Sequence, residues 1–249
     1  MESLKFLSEI KDGVIDMILC DLPYGSTQCS WDTIIPLDKL WEQYERVIKE
    51  KGVIVLTATQ PFASKIVMSN INMFKYCWYW DRGNKSNFLN AKHQPMRHIE
   101  GIYVFYNGKS TYNPILRNKR KDQIRYNNIK ASNKKPKTTG ELKGMVGRFD
   151  NRDIPLDKNY PIEYLKFSLP SANKGRLHPT EKPVSLFKYL IKTYSNEGDL
   201  VLDNCIGSGT TAVACKQINR NYIGCDINQE YVDIANERLR QNILSKFKV

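Results

Sequence analysis

Apolar and polar positions alternate along the chain with two periods, and the alternation predicts strands and helices in turn. "GVIDMILCD" (13–21) is a run of mostly consecutive apolar residues ending in an acid, the pattern of a strand buried on both faces. "PLDKLWEQYERVIKEKG" (36–52) then sets Leu37, Leu40, Trp41, Tyr44, Val47 and Ile48 at helical spacing, with Pro36 before the stripe and Gly52 after it. "GVIVLTA" predicts a second buried strand. The aromatic and β-branched runs "FKYCWYWDR" and "IEGIYVFYN" predict two more, with Trp78 and Trp80 in the core. After a long interruption, "HPTEKPVSLFKYLIKTYS" predicts a helix that opens at Pro183 and carries Phe187, Leu190, Ile191 and Tyr194 as its apolar stripe. "GDLVLDNCIGSGTTAVACKQI" and "NYIGCDINQEYVDIANERLRQNI" each read strand, turn, helix, the second with Asn228 as cap and Tyr231, Ile234, Ala235 and Leu239 facing inward. Strands alternating with helices imply an α/β fold around a wound, mostly parallel sheet.

The interruption divides the chain. Residues 1–107 and 176–249 form two parts of one domain, and 108–175 is an insertion rich in Lys, Arg, Asn and Gly without a sustained period. Charge sharpens this division. The net charge is +12, yet Arg82 to Arg176 alone holds 21 Lys and Arg against 7 Asp and Glu, so the remainder is slightly acidic. A one-sign excess confined to one stretch is the footprint of a polyanion-binding region, and nucleic acid is the expected partner. In the run "RNKRK", Arg117, Lys119, Arg120 and Lys121 would contact phosphates without reading sequence, as would Arg125, Lys134 and Lys135. His93 and His98 are expected in a loop or on the same surface.

No stretch approaches 18 apolar residues and the opening "MESLKFLSEIKDG" lacks a secretory pattern, so no membrane association and a cytoplasmic location are expected. Cys20, Cys29, Cys77, Cys205, Cys215 and Cys225 form no C-x-x-C pair and have no histidine at ligand spacing. They read as buried free thiols, with no metal.

Two turns carry chemistry. In "VLDNCIGSGTT" a strand ends in Asp203, Gly207 and Gly209 let the backbone approach a ligand, and a helix opening at Thr210 presents free N–H groups. The next strand ends in Asp226, 19 residues after Gly207, where a carboxylate beside the glycine turn can hold ribose hydroxyls. Nicotinamide enzymes share that device, and a turn without a ligand is the plain alternative. The first turn, "DLPYG", supplies the Asp21 carboxylate, the Leu22 carbonyl and, after Pro23, the Tyr24 ring. The lone pair of a base's exocyclic amino group is delocalised into its ring. Two acceptors gripping its hydrogens would localise that pair on nitrogen while the aromatic face holds the base.

With "HPTEKP", these motifs resemble the β class of amino-methyltransferases. That family uses S-adenosylmethionine to methylate the exocyclic nitrogen of adenine or cytosine in DNA, and its catalytic motif precedes the cofactor motif. The family's [D/N/S]-P-P-[Y/F/W] stands here as Asp21, Leu22, Pro23 and Tyr24. Its D-P-F-x-G-S-G-T-T runs from Asp203 to Thr211, and its H-P-T-x-K-P is His178, Pro179, Thr180, Lys182 and Pro183. The wording "DMILCDLPYG" is similar to phage and prophage members, which points to a bacterial or phage-infected cell. The resemblance implies a Rossmann-like methyltransferase fold with a basic target-recognition insertion on double-stranded DNA. It implies S-adenosylmethionine held by Asp203, Cys205, Gly207, Ser208, Gly209, Thr210, Thr211, Asp226 and Ile227, with His178, Thr180, Lys182 and Pro183 near its methionine part. Aspartate rather than serine at position 21 favours adenine N6 over cytosine N4. A homodimer and a cognate restriction enzyme are both compatible with the resemblance.

Three departures bear on this. Leu22 replaces proline where the family's contact is a carbonyl, so the contact is retained. Asn204 and Cys205 replace Pro and Phe, so another ring must wall the cofactor. "MESL" begins where members carry a further strand and Gly-Asp, which sets Glu2 at the acid's place: either Glu2 touches the cofactor's adenine or the edge strand is missing. A DNA-binding protein of this fold without transferase activity shares the basic insertion. A nicotinamide-dependent oxidoreductase explains only the glycine turn and Asp226.

Overall fold

A computed structural model describes residues 2–25, 33–119, 154–155, 157–169 and 181–246, with side chains up to 241. The chain divides into two compact units, Met1–Asn113 with Glu163–Val249, and Pro114–Ile162. The first unit opens with α1 (Ser3–Ser8), β1 (Ile15–Cys20), α2 (Leu37–Val47), β2 (Ile48–Ala58), α3 (Phe62–Ser69), β3 (Phe74–Ser86) and β4 (Arg97–Phe105). In the second unit, β5 (Arg117–Asn118) and β6 (Lys158–Asn159) form an antiparallel pair, closed by the Arg117 Nε–H donating to the Tyr160 carbonyl at 3.1 Å. The first unit resumes with β7 (Tyr164–Lys166), α4 (Val184–Tyr194), β8 (Leu200–Asp203), α5 (Thr210–Gln217), β9 (Asn221–Gly224) and α6 (Gln229–Lys246).

Seven strands form one sheet in the order β7-β3-β4-β2-β1-β8-β9. β1 pairs parallel with both β2 and β8, and β8 with β9, while β4 is antiparallel to both its neighbours, β2 and β3. The mostly parallel wound sheet read from the sequence is therefore present, with β4 as its one reversed strand. The apolar run of β1 divides by the two-residue strand period. Ile18 and Cys20 join α1, α2 and α3 on one face, and Met17 and Leu19 join α4 and α5 on the other. Each side of the sheet is thus covered, as a parallel sheet requires.

The structure adds α1, α3 and the β5–β6 pair to the elements read from the sequence, and differs from that reading at the end of α2 and at β7. The helical stripe stops at Val47, and Ile48 opens β2 beside Ile15 with no intervening turn. Tertiary anchoring decides this: the Arg46 guanidinium donates to the carbonyls of Leu7 and Ile10, both at 2.7 Å, tying the last turn of α2 to the end of α1. Within the stretch that lacked a period, Tyr164–Lys166 adds as edge strand beside Tyr79–Asp81. Three residues are too few to show alternation.

Trp78 and Trp80 are buried as expected. Their indoles are satisfied: Trp78 donates to the Tyr194 hydroxyl at 2.6 Å and Trp80 to the Phe167 carbonyl at 2.8 Å. Tyr194→Phe removes the acceptor for a buried indole N–H and lowers stability by about 1–3 kcal/mol. Urea denaturation should show a lower midpoint at unchanged slope, and an unshifted midpoint would refute the assignment.

Candidate active site

β1 and β8 lie side by side, yet the chain leaves β1 toward β2 and leaves β8 toward β9. Between them is a point where the winding reverses, and it is outside the carboxyl ends of the strands at such a point that open α/β sheets form their ligand crevice. The two turns singled out in the sequence begin at this point, with Asp21 directly after β1 and Asp203 closing β8. Met17 pairs with Val201 and Ile18 with Leu202, so the strands end level.

Asp21 sits at the centre of a polar network. Its Oδ2 is 2.6 Å from the Lys182 ammonium. Its Oδ1 accepts from the Tyr24 hydroxyl at 2.7 Å and from the Thr57 hydroxyl. Glu100 Oε1 lies 3.2 Å from Lys182 Nζ and 3.2 Å from the Tyr24 oxygen. Glu100 and Lys182 are both buried. The cluster therefore holds two carboxylates against one ammonium in a low-dielectric setting, where unbalanced charge is felt strongly. Burial works to lower the Lys182 pKa, but the Asp21 and Glu100 carboxylates outweigh it and lift the ammonium to about 12. Burial first, and then Asp21 and Glu100, push the Tyr24 phenol well above its ordinary value, so it remains a donor. The Tyr24 ring stacks on Phe62 with centroids 5.3 Å apart. Leu22 turns its side chain into the core.

Thr57, Phe62 and Glu100 were missed by the sequence reading. Glu100 had a legible signal, a lone acid within the apolar run "IEGIYVFYN"; Thr57 and Phe62 had none. The Lys182 ammonium, expected beside the cofactor's methionine part, is paired to Asp21 and Glu100.

The glycine turn is built around two carboxylates. Asp203 is buried and accepts from the Cys205 N–H at 3.1 Å and from the Thr211 hydroxyl. Asp226 accepts from the Gly207 N–H at 2.8 Å and the Asn228 N–H at 2.9 Å, which fixes its carboxylate beside the glycine turn. The two glycines serve different ends. Gly209, at φ +82°, would bring a Cβ within 2.6 Å of the Ala235 Cβ on α6, so it permits helix packing. Gly207, at φ +49°, would meet nothing within 4 Å, so its side of the turn is open to a ligand. Arg238 joins the segments, donating to the Ser208 carbonyl at 2.7 Å and pairing with Glu181 at 2.7 Å, while the Thr210 hydroxyl donates to the Lys182 carbonyl at 3.4 Å. The side chain of Asn204 accepts a hydrogen bond from the Tyr44 hydroxyl and donates to Ser3 Oγ at 2.7 Å, bringing the start of α1 against this turn. Glu2 is exposed next to Ser3, and Ile227 is exposed beside Asp226. Pro183 precedes the first helical residue of α4.

His178 and Thr180, and Arg120, Lys121, Arg125, Lys134 and Lys135, lie outside the described residues. Arg117 and Lys119 belong to the second unit. Among the described residues no group of His, Cys, Asp or Glu is arranged to hold a metal, and no helix is long and apolar enough to cross a membrane.

Burial pushes the Asp203 carboxyl up to about 6, with the hydrogen bonds from Thr211 and Cys205 opposing it. A carboxyl whose folded pKa exceeds its unfolded one favours the protonated fold, so its contribution to stability falls as pH rises from about 4 to about 6 and stays lost above that. Asp203→Asn removes this dependence. The stability of the native protein relative to the variant should decline by on the order of 2 kcal/mol between pH 4 and pH 7, measured by urea denaturation at both. Parallel pH profiles would contradict it.

The comparisons with known proteins agree with this geometry. Type II methyltransferase M.HpaI of Haemophilus parainfluenzae is 29% identical over 256 aligned residues, spanning 95% of this chain and 72% of that protein. Type II methyltransferase M1.MboII of Moraxella bovis is 26% identical, over 97% of this chain and 95% of its own. Among solved structures, the M1.HpyAVI–SAM complex superimposes with a TM-score of 0.63 at 21% identity, covering 96% of each chain. The cytosine-N4-specific PvuII DNA methyltransferase does so with a TM-score of 0.67 at 15% identity, over 96% of this chain and 84% of its own. The family model described as DNA methylase, for the N6 and N4 enzymes, matches residues 15–237. The chain belongs to the N6/N4 DNA methylase family, whose cofactor is S-adenosylmethionine.

Proposed function

We propose that the protein methylates the exocyclic N6 of adenine in double-stranded DNA, with Asp21, the Leu22 carbonyl and Tyr24 acting on the base. The observation that carries this reading is the charge of the catalytic cluster: one more carboxylate than ammonium, buried at the crevice. An amino nitrogen that accepts a methyl group becomes positive, and a preformed excess of negative charge stabilises that development without a metal. When bound, the cofactor supplies an electrophilic methyl on its sulfonium. The residues fit it: Gly207 borders open space, and the Asp226 carboxylate stands against the Gly207 N–H, beside the turn where ribose hydroxyls would lie.

In the free protein the Lys182 ammonium takes the place on Asp21 Oδ2 that suits a substrate amino group. Entry of a base displaces it toward Glu100, which already stands 3.2 Å from Nζ, so the ammonium keeps a partner throughout. Asp21 and the Leu22 carbonyl then accept the two amino hydrogens, Tyr24 holds the ring, and Phe62 backs Tyr24. Aspartate at position 21 supports adenine over cytosine by its resemblance to the family pattern. The 108–175 insertion is the proposed DNA-gripping segment, on the strength of its charge.

Incubating duplex DNA with the protein and cofactor, digesting to nucleosides and identifying the modified one tests the reading directly; N4-methylcytosine would redirect it to cytosine, and no modified base at all would favour a DNA-binding protein without transferase activity. Asp21→Ala should cut methyl incorporation by at least about a hundredfold while calorimetric titration shows cofactor binding nearly unchanged. An active variant would remove Asp21 from the mechanism. Glu100→Gln removes the excess carboxylate and leaves Lys182 only Asp21 as an ionic partner. Its kcat should fall by about ten- to a hundredfold with little change in KM for DNA, and a loss confined to KM would assign Glu100 to binding instead.

A further inference from the structure

The hairpin between β3 and β4 carries a surface that the catalytic network does not use. β4 runs against β2, so its first residues stand at the carboxyl end of the sheet, where the crevice opens. Gly101 pairs with Ala58, the last residue of β2, and β4 extends four further residues back to Arg97. That is about 13 Å of strand beyond the neighbouring strand end, more than the roughly 8.5 Å depth of a DNA major groove. Glu100, part of the catalytic cluster, sits at the foot of this projection opposite Trp80.

The projection is braced. The Arg82 guanidinium donates to Ser86 Oγ at 2.9 Å and to the Arg97 carbonyl at 3.2 Å, and the Gly83 N–H donates to Asp81 at 2.8 Å. At its tip Asn87 takes a left-handed conformation, φ 68°, and Phe88–Asn90 form a single 3₁₀ turn, held by the Asn90 amide donating to Asn87 Oδ1 at 2.8 Å. That turn presents Phe88 and Leu89, 72% and 84% exposed, the two most exposed large apolar side chains among the described residues. From Arg82 to Arg97 the chain has Arg82, Lys85, Lys92 and Arg97 and no acid. Four cations in the sixteen residues that carry the apolar pair repel a second copy of the same hairpin and attract phosphate.

We propose that Phe88 and Leu89 are a wedge that enters the duplex beside the target and fills the gap left when the base swings out to Asp21. This rests on the reading that the chain methylates duplex DNA. Extruding a base costs its stacking and pairing, and an apolar side chain in the vacated step recovers part of that cost. The cations hold the backbone on either side, and the braced neck fixes the wedge relative to Glu100.

The test uses the full chain and a duplex bearing the recognition sequence, first established by modified-base sequencing of DNA from cells that express the protein. Single-turnover methylation is compared for the native protein and the Phe88→Ala/Leu89→Ala variant on two substrates, one fully paired and one with the target base already unpaired by a mismatch. The variant should be slower by about tenfold or more on the paired duplex and within about threefold of native on the mismatched one. Equal losses on both substrates, no loss on either, or a loss accompanied by a changed sedimentation coefficient would overturn the wedge, the last by assigning the patch to contact between copies. Methyl transfer by the native protein reports on the functional reading separately, because the wedge is judged only from the ratio between variant and native.

Discussion

The structure depends on one electrostatic arrangement: the Lys182 ammonium held between the carboxylates of Asp21 and Glu100. Three segments distant in sequence converge there: the turn after β1, the start of β4 and the segment before α4. Removing the ammonium would leave the buried Glu100 carboxylate and the half-buried Asp21 carboxylate as uncompensated like charges in one cluster. The same pairing that holds these segments together also makes a place for positive charge at the ends of β1 and β4. The glycine turn is joined to this cluster through the chain, since Thr210 and Arg238 fasten the segment carrying Glu181 and Lys182 to the loop after β8.

Much of this was legible in the sequence, for identifiable reasons. Strands buried on both faces are continuous apolar runs, and "MILC" and "VIVL" admit little else. The strand-end acids Asp21 and Asp203 stood out because each breaks such a run at its carboxyl end, where wound sheets place ligands. What the sequence could not display was pairing across the sheet. Thr57 and Phe62 join the site only because β2 lies beside β1, a relation that no local pattern encodes. Lys182 was singled out by its motif, and only the fold shows its ammonium paired to Asp21 and Glu100. The end of α2 was misread for a similar reason, because Arg46 and the pairing of Ile48 with Ile15 override a helical period that could have continued.

The departures from the family pattern also find physical settings. Leucine at position 22 fills a core site, so a larger side chain is accommodated inward. Asn204, where the family has proline, has become a junction: Tyr44 of α2 and Ser3 of α1 both bond its side chain, which fastens two helices to the loop. Free thiols at Cys20, Cys205 and Cys225 surround the same junction, and burial pushes those of Cys20 and Cys225 upward, keeping them protonated and unreactive.

The reversed direction of β4 has an evolutionary consequence. Because β3 ends and β4 begins on the crevice side, the connection between them has both feet fixed in the ladder and its crown in solvent, where changes of length are tolerated best. Residues can be gained or lost in the crown without displacing Glu100, which is registered by its pairing opposite Trp80. Descendants of this chain could therefore explore new DNA contacts at that crown while inheriting the reaction unchanged.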